Sequence, residues 1–118
     1  MKLQGYPREE KLKAKKEIEA LFKEGKWISC GKIRIIYLAN TPSTKVGVSV
    51  SKRYFKKAVF RNRVKRLLRE AYRIDKGALH QKLGEHFHCM IFWTSPTLPE
   101  KLENVQKHYY RLCQTEAQ

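Results

Sequence analysis

The sequence is poor in acid. Eleven Asp and Glu stand against 26 Lys and Arg, a formal balance of +15 in 118 residues. Asp75 is its one aspartate. A two-metal nuclease surrounds its ions with several carboxylates. Ten glutamates, mostly beside lysines on helical segments, do not supply such a cluster. His80, His86, His88 and His108 show no spacing that pairs an acid with a base. "HFHC", His86 to Cys89, lacks the second His or Cys pair that a tetrahedral zinc site needs. No residue is therefore expected to be catalytic or to hold a metal. Long apolar runs are also missing. "CMIFW" reaches five residues, against about 20 for a membrane span, and "MKLQGYPREEKLK" lacks the apolar core of a signal peptide. Three cysteines, Cys30, Cys89 and Cys113, are odd in number and widely spaced. That argues against a disulfide framework and for a reducing compartment. The expectation is a cytoplasmic protein with no membrane partner.

What is present is positive charge on an otherwise ordinary globular composition, 42% hydrophobic. The length suits one domain over 1–118, with residues 1–8 a loose arm because Gly5 and Pro7 discourage regular structure. An excess of cations this large points to nucleic acid first and an anionic membrane surface second.

Along the chain, Ala14, Ile18, Leu21 and Phe22 fall on one face of a helix expected from Glu9 to Glu24, stopped by Gly25. "KIRIIYLA" (Lys32 to Ala39) and "KVGVSVS" (Lys45 to Ser51) read as strands, joined by "NTPST" into a hairpin. A further short strand fits near Trp27 to Cys30. In the second strand Val46, Val48 and Val50 face the core, while Gly47, Ser49 and Ser51 form a small polar row that another molecule could approach closely. "DKGALHQKLGEH" reads as a connection with a turn of helix. "FHCMIFWT" is hydrophobic enough to be a central strand. Pro99 opens a last helix buried through Leu102, Val105, Tyr109 and Leu112.

The most informative stretch is "AVFRNRVKRLLREAYR", Ala58 to Arg73, with six cations and one acid, Glu70. At about 100° per residue, Phe60, Val64, Leu67, Leu68 and Ala71 make an apolar stripe with Tyr72 at its edge. Asn62, Lys65, Arg66, Arg69 and Arg73 gather opposite, and Arg61 and Arg63 fall on the flanks. Like charges four residues apart repel by a few tenths of a kcal/mol each, a cost that an arriving anion would relieve. Arginine holds phosphate through two parallel bonds. In the lead-in, Lys52, Arg53, Lys56 and Lys57 surround Tyr54 and Phe55, a mixture suited to single-stranded RNA. These residues alone leave open an RNA-binding cofactor, a general RNA-binding structural protein of ribosomal or chaperone type, and a DNA-binding protein.

"KVGVSVSKR" followed by "AVFRNRVKRLLREAYR" resembles the protein subunit of bacterial ribonuclease P. "FKEGKW", "FHCMIFWT" and the last amphipathic helix extend the likeness over roughly Leu12 to Cys113. The resemblance implies an α+β fold: a two-layer α/β sandwich of order α-β-β-β-α-β-α, like the second domain of ribosomal protein S5, with a left-handed crossover. It also implies a division of labour. A catalytic RNA removes the 5′ leader from precursor tRNA using Mg2+ held through the RNA, while the protein alone binds no cofactor. Lys52, Arg53, Lys56, Lys57, Arg61, Asn62, Arg63, Lys65, Arg66 and Arg69 would bind RNA. A cleft between the first helix, the sheet and the basic helix would take the single-stranded leader, lined by Ile18, Phe22, Tyr37, Ser49 and Ser51. Two departures stand out. Ile18 occupies a place where the family commonly has an aromatic, and the "KRYFKKAV" loop is longer than the usual glycine-containing one.

Overall fold

The computed structural model describes residues 11–114; the expected arm at 1–8 lies outside them. The elements are α1 (Lys15–Glu24), β1 (Lys26–Cys30), β2 (Ile33–Ala39), β3 (Lys45–Val50), α2 (Ala58–Ile74), α3 (Lys76–Leu83), β4 (Phe87–Trp93) and α4 (Leu102–Gln114). This is the α-β-β-β-α-β-α order with one helix added. Asp75 nucleates that helix: its side chain accepts the Ala78 N–H at 3.3 Å and so caps eight residues where sequence periodicity gave only a turn.

The strands form one mixed sheet in the order β1-β2-β4-β3. β1 and β2 make a tight antiparallel hairpin through Gly31 and Lys32, with Cys30 opposite Ile33. Gly31 sits at φ 58°, and a Cβ there would overlap the His108 imidazole, so the turn needs glycine twice over. The expected hairpin of β2 with β3 is not formed. β4 lies between them, antiparallel to β2 (Ile33 opposite Trp93) and parallel to β3 (Lys45 opposite His88). The physical reason is burial. Every residue of β4 except Phe92 is buried, so it takes the position with a neighbour on each side. The turn after β2 is fastened to the approach to β4. Asn40 N–H donates to His86 O at 3.0 Å, and the Thr44 hydroxyl to Glu85 O at 3.1 Å.

Strand alternation gives the sheet two apolar faces. One carries Ile28, Ile33, Ile35, Val46, Val50, Phe87, Cys89, Ile91 and Trp93 against α2, α3 and α4. Here Val64, Leu68, Ala71 and Tyr72 of α2 meet Val105, Tyr109 and Leu112 of α4. Tyr72, expected at the stripe's edge, is fully buried. Buried aromatics find partners for their polar ends. Tyr109 donates to Asp75 O at 2.8 Å, and the Trp93 indole N–H to Thr97 O at 3.0 Å. Burial pushes the Cys113 thiol up to about 12 and raises Cys89 further, so both behave as small apolar groups.

The other face is covered only in part. Leu12 and Leu21 pack on Ile36 and Met90, with Ile18, Trp27, Leu38 and Phe92 around them. α1 is shorter than expected, because Lys11 pairs with Val46 as a strand would and Leu12 N–H donates to Val46 O at 3.1 Å. Gly25 does end α1. A Cβ there would strike Leu21 O and Ile36, so the chain turns into β1 at closest approach.

One cluster ties α1 to the sheet. Lys45 Nζ donates to both Glu17 carboxylate oxygens at 2.9 and 2.8 Å. Buried His88 lies 3.8 Å from Glu17 Oε2, and its Nε2 has no hydrogen-bond partner. Burial lowers the His88 pKa, Glu17 opposes that shift and Lys45 adds to it. Buried His108 is lowered by the same cause, with help from Lys107, Lys32 and Arg111. A histidine held neutral in the folded state gains its proton more readily when unfolded. Stability should therefore be complete above the ordinary value of 6.5 and fall as pH drops below it. Urea midpoints measured from pH 7 to pH 5 should show this decline, and His88→Gln should remove part of it. A flat wild-type profile would contradict the burial argument.

Candidate nucleic-acid interface

α2 is anchored by its apolar stripe, and that anchoring decides which cations face outward. Asn62, Arg63, Arg66 and Arg69 are exposed and Lys65 is half-buried. Among the described residues, no carboxylate pairs with Lys65, Arg66 or Arg69. Arg73 differs. It clasps Glu70 at 2.8 and 3.0 Å, and this hydrogen bond holds the Glu70 carboxyl below its usual range. The helix thus neutralises its last turn internally and leaves the preceding two turns cationic. No acidic residue lies in its first turn, where backbone N–H groups favour an anion.

Arg61 has another occupation. Its flank position, between Leu68 and Tyr72, lies at the rim of the buried side. There it donates to Phe55 O at 2.9 Å and Lys56 O at 2.7 Å, pinning the lead-in turn to the helix. Arg63 makes one long bond to Glu100 O at 3.4 Å. Arg61→Ala should therefore cost about 1–3 kcal/mol of stability through two charge-assisted bonds, while Arg63→Ala should leave the thermal midpoint nearly unchanged. Parallel melting curves of the two variants test this contrast.

The lead-in is a tight turn around Ser51. The Ser51 carbonyl accepts the Tyr54 and Phe55 N–H groups at 3.1 and 3.3 Å, and its hydroxyl accepts the Arg53 N–H at 3.0 Å. Lys52, Arg53, Lys56 and Lys57 are exposed. Phe55 is buried in the main core and Tyr54 packs half-buried against it. The two rings read as interleaved stackers therefore anchor the turn instead.

The partly covered sheet face holds a second feature. Phe22, 45% exposed on α1, stands over Trp27 at 6.0 Å and Phe92 at 6.1 Å, and Trp27 and Phe92 are 5.6 Å apart. The Arg34 guanidinium lies 4.1 Å above the Trp27 ring. Ser49, half-buried, is the register partner of Phe92, and exposed Ser51 continues its row. Ile18 packs half-buried beside them. Gly47, in the same row, is not open to a ligand: Met90 and Leu12 already crowd its Cβ position.

Tyr37 does not belong here. It is the partner of Cys89 and packs with the core on the opposite face, because alternation along β2 sends Ile36 and Tyr37 to opposite sides. Trp27, Phe92 and Arg34 take the place expected of it. The alternation of β1, β2 and β4 could have found them only once the register was known. The basic helix is likewise no wall of this groove. α2 packs on the far face, and the 51–57 turn leads round the end of β3 from one feature to the other.

Comparison with known proteins bears on this arrangement. Residues 6–116 match the family model for Ribonuclease P. The ribonuclease P protein component of Porphyromonas gingivalis is 40% identical over 85 residues, which is 69% of this chain but 62% of that protein's length. The ribonuclease P protein component of Thermotoga maritima is 32% identical over 115 residues, 88% of this chain and 95% of the relative. The solved ribonuclease P protein from Thermotoga maritima superposes with a TM-score of 0.73 at 22% identity, covering 91% of this chain and 98% of that one. The one from Staphylococcus aureus does so at 0.72 and 19%, covering 89% and 93%. At such identities the superpositions speak for the fold, and the sequence matches speak for the lineage. Matched by that family's model over residues 6–116 and similar to a relative over most of both chains, the chain belongs to the ribonuclease P protein component family.

Proposed function

We propose that this chain is the protein subunit of a ribonuclease P ribonucleoprotein, the nuclease of tRNA processing that hydrolyses precursor tRNA to remove its 5′ leader. The observation that carries the reading is the outward row Asn62, Lys65, Arg66 and Arg69, without a carboxylate partner among the described residues. It is a rigid surface suited to a folded RNA. The catalytic RNA occupies that row and the Lys52–Lys57 turn. The single-stranded leader runs over Phe22, Trp27 and Phe92, its bases stacking on exposed ring and its backbone near Ser49, Ser51 and Arg53. Cleavage and Mg2+ belong to the RNA, and no protein side chain is given a chemical step. Three cysteines unbridged in the fold favour a cytoplasmic setting.

If about six phosphates are neutralised, log K should fall against log salt with a slope near −4 to −5. The decisive experiment is reconstitution with a bacterial ribonuclease P RNA and a leader-bearing substrate at low Mg2+, where the protein should stimulate cleavage. Tight binding to unrelated RNAs without stimulation would favour a general RNA-binding structural role instead.

A further inference from the structure

The apolar stripe of α2 continues past the core it serves. Phe60 stands four residues before fully buried Val64, yet it is 39% exposed, and its neighbour Val59 is 66% exposed. Four large hydrophobic residues are exposed among the described residues, and two of them lie on this first turn of the cationic helix. Val59, Phe60, Asn62, Arg63 and Arg66 line one shallow depression. Arg66 has no ion-pair partner among the described residues, and Arg63 has only its long bond to Glu100 O. Exposed Lys56 and Lys57 precede it.

The surroundings select the occupant. An apolar protein partner would have to desolvate Arg63 and Arg66 without neutralising them. A duplex offers phosphates but keeps its bases stacked. An unpaired nucleotide offers an apolar ring face with phosphates on either side, and aromatic and cationic groups side by side suit it. We propose that Val59 and Phe60 form a stacking platform for one unpaired nucleobase of a structured RNA, with Arg63 and Arg66 on its flanking phosphates and the Asn62 amide facing the base edge. The identity of that RNA as the ribonuclease P RNA rests on the reading above; the platform itself does not.

The test uses the full chain with ribonuclease P RNA. Dissociation constants are measured across a salt series for wild type, Phe60→Ala, Phe60→Leu and Phe60→Trp. Stacking contacts of this kind make Phe60→Ala about tenfold weaker at every salt concentration with an unchanged slope. Phe60→Leu falls between, Phe60→Trp binds as wild type or tighter, and all four melt alike. Unchanged affinity in Phe60→Ala overturns the platform. So does equal affinity of the Leu and Phe forms, which would make the contact merely apolar. A wild-type dimer in sedimentation that Phe60→Ala dissociates without loss of RNA affinity would assign the patch to a second copy and also overturns it. Normal stimulation of cleavage by Phe60→Ala, with normal binding, sinks the platform and spares the proposed function. Phe60-dependent binding of a single-stranded probe, without binding to ribonuclease P RNA, does the reverse.

Discussion

Replacing Arg66 and Arg69 together with glutamine should weaken binding to ribonuclease P RNA by roughly 30- to 1,000-fold at moderate salt, as expected for two charge-assisted phosphate contacts of about 1–2 kcal/mol each. The salt slope should become shallower by about two. Both side chains are exposed and neither has a carboxylate partner among the described residues, so folding loses nothing with them. Removing Arg69 also relieves its repulsion with Lys65 and Arg73, one turn to either side, by a few tenths of a kcal/mol each. The thermal midpoint should hold or rise slightly. Filter binding beside calorimetry separates the outcomes. A fall in stability matching the fall in affinity would mean that the row braces the fold and does not grip RNA.

The second large effect lies on the opposite side of the same helix. Leu68 is 1% exposed, between the sheet and α4. Leu68→Ala should cost about 2–5 kcal/mol, since the packed neighbours cannot collapse fully into the space. At this chain length that corresponds to a midpoint lowered by roughly 10–20 °C. Leu67→Ala should cost much less, because Leu67 is half-buried at the rim of that core. At a temperature where it remains folded, Leu68→Ala should bind RNA like wild type. Urea unfolding and binding on one preparation would show it. Equal costs at the two leucines would mean that α2 sits rotated from the position described.

Patterns of short range were legible in the sequence. The period of α2 and its separation into apolar and cationic sides were there, because a helix repeats every 3.6 residues whatever it packs on. So was the centrality of β4, whose residues are apolar on both faces. The order of elements and the family followed from the Arg61-Asn62-Arg63 stretch and its surroundings. What failed depended on pairing. β2 and β3 look like hairpin partners until a strand some forty residues later inserts between them. The resemblance implies Tyr37 in the groove, because a family likeness carries over a residue's place in the chain and not the face to which it points. One residue of register sends it to the other side and brings Trp27, Phe92 and Arg34 in its place. Helical position set Phe60 with Val64 and put Arg61 on a flank. The actual end of the core left Phe60 39% exposed, and the turn carbonyls of Phe55 and Lys56 took Arg61.

The sequence by itself determined that this protein carries a surplus of cations on an amphipathic helix, since charge and periodicity belong to the chain before it folds. Only the tertiary structure decided which of those cations face outward, which one holds a turn, and which aromatics share a groove. Those outcomes depend on strand register and on where packing ends, and both are set by contacts between residues far apart in the chain.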